Sequence, residues 1–251
     1  MLRERNGSDI LFRSQEEETL LEFLSMPLHS SQPVFERFGS LPGAIYCGDP
    51  LWPEKRFIYI PGWRDDRAVL VAHADTVFTE DATNGKAVSI EREGDFLYGS
   101  DSALGADDRA GCAILWLMRD SGHSLLITDG EEQGLLGSSW LMENCPAIAD
   151  ELNGHSFMIQ LDRRNGRDFK TYSVGTDAFK RFVAKSTGYD DAGGDSFTDI
   201  CVLCRDICGV NLSVGYYGEH SEQECLNVKE WAATLDTVTA MMCRPVKRFP
   251  L

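Results

Sequence analysis

Three short apolar runs limit what this chain can fold into: AVLVA at 68–72, SLLIT at 124–128 and FMIQL at 157–161. A strand that is apolar on both faces cannot leave either face in water. It needs helices above and below it, which is the situation of a parallel strand. The segment 210–214 reads as a fourth such strand, and 44–47 and 56–60 as two shorter ones. Residues 86–98 read as a hairpin turning at 93–95. Helical patterns cover 15–25, 107–119, 137–143, 176–187 and 228–242. Strands that alternate with helices predict an α/β fold, with three layers and a mostly parallel central sheet. No repeat or low-complexity linker divides the 251 residues, so one catalytic-size domain over 1–251 is expected. An N-terminal arm over 1–40 precedes the first regular strand–helix alternation. It either packs on the sheet or serves self-association.

The chain carries 40 acidic and 24 basic residues, a formal net charge of −16. That surface repels nucleic acid and anionic membrane at long range and suits cations. No apolar stretch has the roughly 18 residues needed to span a bilayer, and the first fifteen residues lack the apolar core of a signal peptide. Eight cysteines are too sparse for a secreted disulfide scaffold, and several lie in apolar runs. Buried free thiols in a cytoplasmic protein are therefore expected. Cys201, Cys204 and Cys208 also have a spacing usable by an iron–sulfur cluster, but no Gly or Pro shapes a ligand loop between them.

In α/β sheets, ligands gather beyond the carboxyl ends of the strands. Five segments place His, Asp or Glu there or in glycine-bounded loops. They are AVLVAHADTV (His73, Asp75), LGADDRAG (Asp107, Asp108), LLITDGEEQGLLGS (Glu131, Glu132), MIQLDRR (Asp162) and GYYGEHSEQE (His220). Each alone has an ordinary structural reading. His73 would be a core histidine, Asp107 and Asp108 a helix N-cap pair. Glu131 and Glu132 would be a solvated turn, Asp162 a surface charge and His220 a loop residue. Five such segments at one sheet edge are better explained by a metal site. Imidazole and carboxylate are ordinary zinc ligands, and a short Asp at a helix start is rigid enough to bridge two ions. Adjacent glutamates can divide the work between ligand and general base.

This set and order resemble the co-catalytic dizinc peptidases of the M20, M28 and M42 families, from about residue 66 to residue 231. HADTV, GADDRAG and DGEEQGLLGS carry the resemblance. It implies the zinc-dependent exopeptidase fold and two zinc ions, with cobalt or manganese as substitutes in such an oxygen-rich site. It implies His73 and Asp162 on one ion, Glu132 and His220 on the other, and Asp107 bridging. Asp75 would support His73, and Glu131 would be the general base. Asp108 matches the position after the bridge, where these families often have a cis peptide bond. The M20 enzymes usually insert a lid or dimerisation domain between the last two ligands. Here that interval is 220 − 162 = 58 residues, so a lid-less catalytic domain is expected.

For substrate, Arg163 is placed either to clamp a carboxylate or to pair with a nearby acid such as Asp168. The Gly- and Asp-rich stretch 189–199 is similar to a loop beside the substrate pocket of M28 and M42 relatives, which implies that Asp195 and Asp199 bind a free amino group; alternatively they form a turn and a helix cap. Tyr216 and Tyr217 either line the pocket or pack on the sheet. The expected activity is that of a zinc metallopeptidase trimming small peptides, an aminopeptidase or related exopeptidase. An N-acyl amino acid deacylase uses the same residues, and a metal-binding module without catalysis is the alternative of another class.

Overall fold

The computed structural model describes residues 7–79, 86–194 and 196–251, with side chains from residue 15 onward. The strands are β1 (Ile45–Asp49), β2 (Trp52–Ile60), β3 (Val69–His73), β4 (Ile90–Glu93), β5 (Phe96–Gly99) and β6 (Ser124–Thr128). They continue with β7 (Met158–Arg163), β8 (Asp168–Lys170), β9 (Asp190–Asp191), β10 (Gly209–Ser213), β11 (Tyr216–Tyr217) and β12 (Cys225–Asn227). The helices are α1 (Gly7–Leu24), α2 (Gln32–Gly39), α3 (Ala106–Leu117), α4 (Leu136–Asn144), α5 (Pro146–Asn153), α6 (Asp177–Thr187), α7 (Ile200–Leu203) and α8 (Val228–Met242).

Eight strands form the main sheet in the order β1-β2-β6-β3-β7-β10-β8-β9. Its centre, β6-β3-β7-β10, is parallel, while β2 joins β6 and β8 joins β10 antiparallel. A smaller antiparallel sheet, β11-β12-β5-β4, lies apart from it. The expected central strands and the 86–98 hairpin are present.

Alternate residues of the central strands enter two different cores. Leu70, Ala72, Leu125, Ile127, Ile159 and Leu161 join the core under α1, α3, α6 and α8. Val69, Val71, Leu126 and Met158 join the second core, with Leu141 of α4, Leu152 of α5 and Ile200 of α7. A strand buried on both faces gives the continuous apolar run seen in the sequence. The N-terminal segment belongs to the first core: Leu20, Phe23 and Leu24 of α1 and Val34, Phe35 and Phe38 of α2 are all buried. Helix ends follow local chemistry. The Thr176 hydroxyl accepts the Phe179 N–H at the start of α6, and the Asn227 side chain accepts the Lys229 and Glu230 N–H groups at the start of α8.

Residues 163–219, between the last two expected ligands, are taken up by β8, α6, β9, α7, β10 and β11. All eight cysteines are free. Among the described residues no group of potential metal ligands includes a cysteine, and no helix is long and apolar enough to cross a membrane.

Two buried histidines at the amino ends of the strands make stability depend on pH. His123 Nδ1 accepts the Ala68 N–H at 3.0 Å, and its Nε2–H donates to the Met242 carbonyl at 2.9 Å. His155 Nε2 accepts from Arg67 Nε at 3.1 Å, and its Nδ1–H donates to the Glu151 carbonyl at 2.8 Å. Both rings are locked neutral, and burial pushes both pKa values below the usual 6.5. The unfolded chain takes up these protons first. Stability is therefore full above about pH 6.5 and falls as the pH drops toward the lower folded-state values. Thermal melts between pH 7.5 and 5 should show this decline, and His155→Gln should flatten it.

Candidate metal centre

Three neighbouring parallel strands end at one place. β3 ends at His73, β6 leads through Asp129 and Gly130 to Glu131 and Glu132, and β7 carries Asp162 near its end. The register pairs His73 with Thr128 and Val71 with Gln160, so the chain emerges from all three at nearly the same height. Asp107 comes from the start of α3, and His220 from the turn between β11 and β12.

These residues meet. His73 Nε2 lies 3.2 Å from Asp107 Oδ1 and 3.3 Å from Asp162 Oδ1. His220 Nε2 lies 3.2 Å from Asp107 Oδ2 and 2.9 Å from Glu132 Oε1. Asp107 thus turns one oxygen to each histidine. Bonds of 2.0–2.1 Å at tetrahedral angles set ligand atoms roughly 3.3 Å apart. The measured separations are close to that edge, so the donors have the spacing of metal ligands.

Among the described residues, two groups have donor atoms all within 4.8 Å of one another: His73 with Asp108 and Asp162, and His73 with Asp107 and Glu132. Asp108 is not a free donor. Its Oδ2 accepts the His73 N–H at 3.2 Å and its Oδ1 the Gly111 N–H at 3.0 Å. The Asp107–Asp108 peptide bond is cis, and neither residue has helical torsions although both open α3.

The surrounding bonds hold the donors still. His73 is 1% exposed, and its Nδ1 faces the Asp75 carbonyl at 3.1 Å and Asp75 Oδ1 at 3.4 Å. The two Asp75 oxygens also accept the N–H groups of Glu131 and Glu132, each at 3.2 Å. One residue therefore orients a histidine and fixes the loop that carries both glutamates. Asp162 Oδ2 accepts from the Thr198 hydroxyl at 2.8 Å and from Gln160 Nε2 at 3.0 Å. Asn211 Oδ1 accepts the Asp162 N–H at 3.0 Å. Glu224 accepts the N–H groups of Gly105 and Asp107. Gln160, Thr198, Asn211 and Glu224 were not among the residues expected from the sequence. Gln160 and Asn211 left a trace there, as polar residues inside apolar runs.

Without a cation this cluster is electrostatically strained. Burial, with Asp107 adding to it against the pull of His73, pushes the Asp162 carboxyl up to about 7. Burial, with Asp162, Asp199 and Glu132 adding to it, pushes Glu131 up to about 9. Asp107 is held well below the usual carboxylate range, because its bonds to His220 and His73 outweigh its burial. The same bond to Asp107, with that to Glu132, lifts His220 to about 10. A divalent cation would relieve the crowding of negative charge.

The centre opens on a cleft of about 530 Å³, lined by Glu131, Glu132, Arg163, Lys170, Tyr172 and Phe197 among others. Arg163 lines it, but its Nε is bound to Asp168 at 2.5 Å. Tyr216 lines it, and its hydroxyl donates to the Asp162 carbonyl. Tyr217 is directed elsewhere: its hydroxyl donates to Glu230 at 2.6 Å, and its ring meets Phe96. Asp195 lies outside the described residues. Asp199 heads α7 without capping it, and its buried carboxylate accepts the Thr128 hydroxyl.

No protein-family profile and no curated protein sequence matches the chain. Its backbone is similar to solved peptidases. The aminopeptidase PepT from Bacillus cereus ATCC 10987 has a TM-score of 0.61 at 15% identity, covering 92% of this chain and 98% of that one. A tripeptidase from Staphylococcus aureus subsp. aureus mu50 has a TM-score of 0.68 at 13% identity, covering 92% and 98%. An aminopeptidase from the archaeon Desulfurococcus kamchatkensis has a TM-score of 0.63 at 12% identity, covering 94% and 96%. The fold of this chain is the fold of these peptidases.

Gly111 sets how near α3 comes to β7. A Cβ there would lie 1.9 Å from the Leu161 carbonyl oxygen and 2.3 Å from Asp108 Oδ1. Gly111→Ala should push Asp107 away from Asp162 and cost at least about 1–3 kcal/mol of stability, measured by denaturant unfolding.

Proposed function

We propose that the protein is a metal-dependent exopeptidase of small peptides, built on a single lid-less catalytic domain. The observation that carries this reading is the Asp107 carboxylate, with one oxygen 3.2 Å from His73 Nε2, which also meets Asp162, and the other 3.2 Å from His220 Nε2, which also meets Glu132. In this reading His73, Asp162 and Asp107 hold one zinc ion, and Glu132, His220 and Asp107 hold a second. Three protein ligands per ion leave room for water and substrate, the mark of a catalytic rather than a structural site. The similarity of fold to aminopeptidases and a tripeptidase supports peptide as the substrate. The absence of a separate insert is supported by residues 163–219, which build strands and helices of the main fold and the first strand of the smaller sheet.

When bound, the two ions would supply Lewis acidity to the attacking water and to the scissile carbonyl. The rest is the work of the chain. Glu131 lines the cleft beside Glu132 and takes the water's proton, then passes it to the leaving amine. Burial raises the proton affinity of Glu131 in the metal-free chain, and a bound cation would lower it again, toward the ionised form that a base needs. Asp75 keeps the His73 ring in one tautomer and the Glu131 backbone in one place. Arg163 remains the candidate for a substrate carboxylate, because it lines the cleft while its Nε is held by Asp168. A cytoplasmic place of action is part of the proposal and rests on cysteine usage.

The test is product analysis by mass spectrometry on mixed di-, tri- and longer peptides together with N-acyl amino acids, with zinc and with chelator. Chelator-sensitive removal of terminal residues is expected. Cleavage of acyl amino acids alone would make the protein a deacylase. No cleavage with any divalent metal would overturn the catalytic reading. Glu131→Gln should retain metal while turnover falls by about 10²–10⁴-fold, the range for losing a general base. Near-normal turnover would remove Glu131 from that role.

A further inference from the structure

The two halves of the centre are supported unequally. His73 and Asp162 sit on β3 and β7, which are laddered to each other and to β6 and β10. Asp108, Gln160, Thr198 and Asn211 add side-chain bonds around them. His220 has no such frame. It stands in the turn 218–224, with a positive φ of 61° and a side chain 50% exposed. Within that turn, the bonds of Ser221 and Glu224 to Gly218 and Ser221 are local. Among the described residues, two side chains besides His220 itself link the turn to other segments. One is Glu219, paired with the exposed Arg164 at 2.6 Å. The other is Glu224, which is 1% exposed.

Glu224 Oε2 accepts the Gly105 N–H at 2.5 Å, and Oε1 accepts the Asp107 N–H at 3.0 Å. Both amides lie at the start of α3, where no preceding helical carbonyl is available to them. A carboxylate is the side chain whose two acceptor oxygens can meet two such donors at once. The same side chain joins the His220 turn to the backbone of Asp107 itself.

We infer that Glu224 is a positioning residue for the metal centre, fastening the His220 turn to the Asp107 backbone so that the Glu132–Asp107–His220 half can form. The inference rests on the dimetal reading above and adds a residue that touches neither metal nor substrate. Its consequence is selective. Loss of Glu224 frees His220 while His73 and Asp162 keep their strand supports, so affinity for one ion falls and that for the other is kept. Glu224→Gln keeps one acceptor oxygen but turns an NH2 group toward the other amide, which cannot be accepted.

The test is zinc titration of the metal-free protein by calorimetry, with metal content after dialysis at low free zinc. Wild type, Glu224→Gln and Glu224→Asp are compared, with circular dichroism of each metal-free form. Two ions are expected in wild type. In Glu224→Gln the second should weaken by about 10–100-fold, the usual effect of losing a residue that orients ligands. The first should hold, with an unchanged metal-free spectrum. Glu224→Asp keeps both oxygens, so it should lose less affinity at the same ion and also covers the case of a poorly folded Gln variant. Two ions of unchanged affinity in both variants would overturn the inference, as would an equal loss of both ions. Wild type that binds no ion would instead overturn the dimetal reading itself.

Discussion

Everything at this sheet edge is arranged around the Asp107 carboxylate, which must face two histidines at once. A side chain with only one rotatable bond before its carboxylate carbon cannot choose between them. Its backbone has to be correct on both sides. That requirement explains the close seat of α3 on β7 at Gly111 and the non-helical torsions of the first acidic pair. It also explains why the N-terminus of this helix is tied from elsewhere in the chain.

The tie is made in a repeated way. Asp75 binds the amides of Glu131 and Glu132, Asp108 those of His73 and Gly111, and Glu224 those of Gly105 and Asp107. Each carboxylate spends both oxygens on main-chain N–H groups. Each set includes at least one of the five proposed ligands or the proposed base, Glu131. Charge-assisted bonds of this kind are about twice as strong as neutral ones, and they act on backbone rather than on flexible side chains. Much of the local negative charge is therefore structural rather than free to ligate. A count of acidic residues near the site would overstate its ligands, as the grouping of Asp108 with His73 and Asp162 illustrates.

The parts legible in the sequence were those in which burial and chemistry coincide. A strand buried on both faces must be apolar, so 68–72, 124–128 and 157–161 announced the sheet, and the polar residues just after them announced its functional edge. The donors His73, Asp107, Glu132, Asp162 and His220 are brought together as their positions in these motifs implied. The supports were not legible. In the run EHSEQE the three glutamates look alike, and the approach of the Gly105 and Asp107 amides sets Glu224 apart. Tyr216 and Tyr217 form a two-residue strand, too short for its alternation to show which ring faces the cleft. Strands β8 and β9 have three and two residues, below any readable period. Helix α3 reads as starting at 107, but its first two acids are not helical, because the donor geometry takes precedence over local propensity.

The order of the donors along the chain carries one more consequence. They run from residue 73 to residue 220 and come from both sheets and the head of a helix. Contacts so distant in sequence close late in folding, because the loops between them must be ordered first. No short fragment of the chain holds even three of the donors in place. A cation therefore cannot nucleate this protein. It would bind a scaffold already assembled, so its arrival would report on completed folding and would separate a finished molecule from one still in progress.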